Sequence, residues 1–196
     1  MSESPYAPPK SDIEIISAEE RPEFYLVSVR KFVILYLATW GWYGLYWFYR
    51  HWSENKRFES SSVWPVIRAL FPFIFAFPLF WRVDKSLRRQ GLGSMWWAVS
   101  AVGLLLVTLA TVLLSLAAHT SRIEETGRLL GLSLTLLIAQ IAILAIVQRK
   151  MNIAVRDPGG TSNARLGAAN WAWVAFGSLM WLMNLLAIAF VGVLTP

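Results

Sequence analysis

Two histidines, two adjacent carboxylates and one arginine in an apolar stretch are the side chains from which this 196-residue chain would have to build any chemistry. A metal or haem site needs ligands that converge. His51 and His119 are the only histidines, and the topology argued below puts them on opposite sides of a membrane, so neither site is expected within one chain. Glu124 and Glu125 are adjacent; on a helix they diverge by about 100°. A general acid–base pair must face one substrate, so the two read as a solvated loop. The chain has no cysteine, which excludes disulfides, thiolate metal sites and thiol nucleophiles. It has no phosphate-binding loop, no H-E-x-x-H and no G-x-S-x-G, and Gly91-Leu92-Gly93 lacks the third glycine of a dinucleotide fingerprint. The reading leans away from an enzyme, and no cofactor is expected.

The remaining polar residues suit recognition within lipid. Arg68 lies among prolines and apolar residues, where a charge must snorkel to the interface or find a lipid phosphate or a carboxylate. Together with Arg82, Lys85, Arg88, Arg89, Arg149 and Lys150 it forms the candidate set of contacts to anionic head groups. Gln140, Gln148, Asn152 and Asn184 are uncharged amides within or beside apolar segments. Such groups hydrogen-bond across helices and hold them together. Gly131, Thr135, Ala139, Ala142 and Ala145 recur at spacings of three and four, so one helix face is small and permits close packing. Thr39, Gly41 and Gly44 interrupt an aromatic run in a way that suits the tip of a re-entrant hairpin.

The elements that must carry these residues follow from the apolar pattern. The chain is 56% hydrophobic and only 15% charged, against about a quarter charged in soluble domains. Residues 95–118, 129–147 and 171–194 carry no charged side chain and meet the requirement of about 20 apolar residues for a hydrocarbon core about 30 Å thick. Their basic flanks, Arg82–Arg89 and Arg149–Arg165, belong on the cytoplasmic side by the positive-inside rule. That places the loop between the first two spans, with His119, Arg122 and Arg128, outside, and the C-terminus outside too. Net charge is +6, but the cations fall in groups at the ends of apolar segments, a topology signal rather than a nucleic-acid footprint.

Residues 32–49 and 63–81 are shorter or broken by glycine and proline. With both flanks inside, either both cross or neither does. Crossing would export Arg50, Lys56, Arg57 and Arg68, which the charge rule disfavours. The expected fold is therefore an all-α integral membrane protein of three transmembrane helices plus two shorter re-entrant or interfacial hairpins; five transmembrane helices is the alternative. Residues 1–23 read as a disordered cytoplasmic tail and 24–196 as a single membrane domain. Ser28 is the expected N-cap of the first helix, with residues 24–27 extended along the cytoplasmic surface.

Thr39-Trp40-Gly41-Trp42-Tyr43-Gly44-Leu45-Tyr46-Trp47-Phe48-Tyr49, after Ser28-Val29-Arg30-Lys31-Phe32, resembles a family of small bacterial multi-pass membrane proteins classed as a domain of unknown function. That family shares a T-x-G-x-Y-x-x-Y-W-x-Y pattern. Trp64-Pro65-x-x-Arg68-Ala69-x-Phe71, Phe80-x-Arg82 and Gln148-x-x-x-Asn152 are similar to its later blocks. The likeness covers most of residues 24–156, with 95–147 alike only in hydropathy. It implies a bacterial inner-membrane location and brings no assigned activity and no catalytic residue. The expected role is a non-catalytic accessory or assembly subunit packing against other membrane proteins or a second copy of itself. The alternatives are an anionic-lipid-binding or membrane-shaping protein and a small transporter or channel component. Membrane lipids are expected partners and nucleic acid is not.

Overall fold

The computed structural model describes residues 22–118 and 126–194. Within them the chain forms seven α-helices and one short 3-10 turn, with no strand. They are α1 (Val29–Ala38), α2 (Tyr43–Glu59), α3 (Pro65–Leu70), α4 (Pro72–Arg89), α5 (Trp97–Ala118), α6 (Thr126–Ala154) and α7 (Ala168–Leu194). Residues 1–21, His119, Arg122, Glu124 and Glu125 lie outside the described residues.

Both broken apolar stretches fold back on themselves. Ser28 caps α1, its hydroxyl accepting from Lys31 N at 3.2 Å, and the chain reverses at residues 39–42 into α2. Phe32 of α1 meets Tyr43 and Trp47 of α2 at ring-centroid distances of 6.3 and 5.7 Å. Tyr25, before α1, donates its backbone N–H to His51, at the middle of α2. The entry to α1 and the second half of α2 therefore lie at the same end. The other stretch bends at Phe71 between two helices that each begin on a proline, Pro65 and Pro72, where a missing N–H costs no helical bond. Phe75 and Arg82 of α4 lie beside Trp52 and Glu59 of α2, so α4 runs back alongside α2. The expected 32–49 and 63–81 thus become two helical hairpins, with α2 and α4 extending beyond both ranges.

All the open ends gather at the C-terminal end of α6, hereafter the rim. Gln90, after α4, donates to Ala154 O at 2.8 Å, and Arg89 reaches Glu23. The hairpin tips reach the level of Gln140, where Tyr36 donates to its amide oxygen at 3.1 Å. Gln140 is midway along α6, which at 29 residues is about 43 Å long. A core of fully buried Phe24, Phe32, Trp47, Trp52, Phe80, Leu79, Leu144 and Met151 fills the half nearest the rim. Phe24 and Val27 belong to it, so the segment before α1 is an internal strap rather than the surface strand expected.

α5 and α6 are long and apolar enough to cross a membrane, and only 11% and 22% of their most apolar windows are buried inside the protein. Leu106, Leu109, Leu113 and Leu116 of α5 project outward. α6 continues about two turns past the expected residue 147, because amides at Gln148 and Asn152 find partners inside the fold. α7 packs on α1 rather than on α6, so α1 sits between those two long helices near the rim.

Candidate functional site

The turn between α1 and α2 is closed by one side chain. Thr39 Oγ1 donates to Leu35 O at 2.8 Å and accepts from Tyr43 N at 2.9 Å, so it caps the end of one helix and the start of the next. Trp40 and Gly41 take φ of +51° and +87°, a conformation favoured by glycine. Gly44 lies against Tyr36: a Cβ there would sit 2.9 Å from the ring. Thr39, Gly41 and Gly44 thus make the hairpin tip in three ways, by capping, reversing and clearing space.

α7 crosses this tip at Gly177, where a Cβ would overlap the carbonyl oxygen of Ala38. Trp181 packs at a tilt against Trp40, with 4.2 Å between centroids, and donates to Leu37 O at 3.3 Å. Nearer the rim, Trp173 packs edge-on against Tyr43. Tyr43 and Tyr46 of the aromatic motif pack against Trp173 of α7, and Trp47 donates to Gln148 Oε1 of α6 at 2.6 Å.

Between the strap, α2 and α6 runs a buried polar seam. Tyr25 N donates to His51 Nδ1 at 3.2 Å, which fixes the ring proton on Nε2, and Nε2 in turn donates to Gln148 Oε1 at 3.1 Å. Gln148 Nε2 donates to Tyr25 O and to Asn152 Oδ1, and Asn152 Nδ2 donates to Val27 O at 2.9 Å. The two amides stand one helical turn apart and serve the strap in the manner of a neighbouring strand, which is what extended backbone inside a helical core requires. His51 lies within the core. Burial pushes its imidazole down to about 3, against the opposing hydrogen bond from Gln148. A neutral ring with both nitrogens engaged is a lock, and no proton acceptor at ordinary pH.

Lys31 is also buried. Its Nζ donates to Asn163 Oδ1 at 2.7 Å and Arg165 O at 2.8 Å, tying α1 to the α6–α7 loop. Burial lowers its pKa. That loop is braced by Asp157, which accepts from the backbone N–H groups of Ser162 and Thr161 and is thereby held down to about 2. Glu23 accepts from Ser86 at 2.6 Å and from Arg89 at 3.2 Å, closing the strap onto α4. Its carboxyl is raised, burial outweighing the Ser86 hydroxyl and Arg89. Sequence reading missed Glu23, Lys31 and His51 as structural hubs; a lysine at the very start of an apolar run was the available signal for one of them.

Basic residues ring the rim. Arg82 pairs with Glu59, Arg88 with Asp84 and Arg89 with Glu23, whereas Lys85 lies 5.1 Å over the Trp81 ring. Arg149 is exposed and Lys150 half-buried on α6. Arg68 lies with its guanidinium carbon 4.0 Å from the Trp52 ring centroid.

The other amides and the small face are placed differently. Gln140 accepts from Tyr36 and donates to Thr111 of α5 at 3.3 Å. Asn184 is exposed and bonds back to Met180 O of its own helix. Ala139 and Ala145 are half-buried, whereas Gly131, Thr135 and Ala142 are exposed, and no atom outside its own helix lies within 4 Å of a Cβ built at Gly131.

Among the described residues no three His, Cys, Asp or Glu side chains converge as metal ligands would. What the arrangement presents is donors and cations at the rim and an apolar surface beyond it. No family model, curated protein or solved structure matches the chain.

Proposed function

We infer that this chain is a multi-pass protein of a bacterial inner membrane which acts, without catalysis, as an accessory or assembly subunit by docking a helix of a partner or of a second copy against α6. In this reading α5, α6 and α7 span, the two hairpins occupy only the cytoplasmic leaflet, and the rim with its cations faces the cytoplasm.

The observation that carries the role is the open small face of α6. Gly131 and Thr135 are exposed in the half of α6 that the hairpins do not reach, and Ala142 is exposed just on the rim side of Gln140. α1 packs against both α6 and α7. Small faces in lipid bring helices together by close backbone contact. Asn184, exposed and, among the described residues, bonded only within its own helix, offers a partner helix a hydrogen bond. Membrane placement is supported by the exposed apolar faces of α5 and α6, and the orientation by the basic rim.

The test uses the absence of native cysteine. Cysteine placed at Thr135 and at Ala142 in membranes is expected to cross-link to one stoichiometric species, a second copy or a distinct protein. Gly131→Leu is expected to abolish that product while leaving thermal unfolding unchanged. A chain that yields no cross-link at either position and elutes from mild detergent as a 22.2 kDa monomer sinks the proposal.

A further inference from the structure

Five arginines on the hairpins and their ends, Arg50, Arg57, Arg82, Arg88 and Arg89, each lie against a carboxylate. Arg68 differs. Among the described residues no carboxylate lies within salt-bridge reach of it, and no acceptor takes any of its five guanidinium N–H groups. Its position is nevertheless fixed. The guanidinium lies over the ring of Trp52, itself fully buried, and 5.4 Å from the centroid of Phe75. A cation–π contact of this kind fixes the position of the guanidinium and leaves its N–H groups available.

The surroundings say what those groups meet. Trp64, Val66, Ile67, Leu70 and Phe71, which flank Arg68 in sequence, are all exposed. The cation therefore stands in an apolar surface, below a rim cation, Arg82, whose guanidinium lies 5.8 Å from the same Trp52 ring and is paired with Glu59. Two guanidinium groups to one carboxylate leave the spot positive. In the membrane reading, on which this inference rests, it falls at the boundary between head groups and acyl chains. An unpaired guanidinium is costly there, and its planar fork matches a phosphate in two parallel hydrogen bonds.

We propose that Arg68, held against Trp52 and Phe75, anchors a single anionic glycerophospholipid: its N–H groups bind the phosphodiester, Arg82 adds charge from the rim side, and the acyl chains lie over the exposed face of α3. The observations favour lipid over a partner's carboxylate because apolar side chains surround the cation on α3.

The experiment measures lipid binding to the full chain in non-ionic detergent by native mass spectrometry, with phosphatidylglycerol, phosphatidylcholine or inorganic phosphate as the added probe. One tightly held phosphatidylglycerol is expected on the unmodified chain. Arg68→Gln should weaken it about tenfold, roughly the loss of one charge-assisted bond, and Arg68→Lys, which keeps the charge without the fork, should fall between. Arg57→Gln should change nothing. Equal affinity in Arg68→Gln overturns the site, as does equal retention of phosphatidylcholine or displacement of the lipid by millimolar inorganic phosphate. If Arg68→Gln fails to fold, unaltered phosphatidylglycerol affinity in Arg68→Lys overturns it instead. A chain that stays monodisperse without detergent would remove the membrane reading itself, whereas unchanged lipid binding in the variants removes this site alone.

Discussion

At the scale of single residues, the structure turns on side chains that serve backbone. Thr39 caps two helices at once, Gln148 and Asn152 satisfy the carbonyls of an extended strap, and Lys31 gathers the acceptors of a distant loop. Each does in an apolar interior what water does at a soluble surface. His51 gives this a pH signature. Its buried ring stays neutral down to about 3, whereas in the unfolded chain it takes up a proton near the ordinary value of about 6.5. Below that value the unfolded state gains a proton that the native state refuses, so stability present above about 6.5 is lost as pH falls toward about 3. Thermal unfolding in neutral detergent should therefore drop over that window more steeply for the unmodified chain than for His51→Gln. Parallel pH profiles would show that the ring is not held neutral. Glu23, whose raised carboxyl works in the opposite direction, is present in both and cancels in the comparison.

At the scale of elements, the hairpins exist because their sequences cannot continue as helices. Pro65 and Pro72 start helices that follow a turn and a bend, and Gly41 accepts a backbone that an L side chain strains. α7 is joined to the rest by a close approach rather than by a broad face. Gly177→Ala puts a Cβ into the Ala38 carbonyl, and a loss of about 2 kcal/mol is expected for such overpacking. Gly127→Ala, where nothing lies within 4 Å, should leave stability unchanged. Equal midpoints in a denaturation series would show that α7 does not rest on the tip of α1.

At the scale of the whole molecule, every open end of the hairpins lies at the rim, so topology is testable from one side. Asn55 is fully buried and makes a poor label site, whereas Arg57 and Ser60 are exposed. Cysteines at Ser60, Lys85 and Arg165 are expected to react together, and only from the cytoplasmic side of intact cells. A cysteine at Ser60 that reacts only from outside would mean that the first hairpin crosses, giving five spans.

The all-helical character and the two long apolar helices were legible in the sequence, because uninterrupted uncharged runs admit few other structures where water is excluded. Ser28 as a cap and glycine at the tip were legible too, since each answers a local backbone requirement. Tertiary structure alone decided that Phe24 and Val27 lie in the core, that His51 faces Gln148, and that Arg68 lies over Trp52. Those pairings join residues far apart in the chain, and hydropathy records how apolar a segment is without recording which segment it meets.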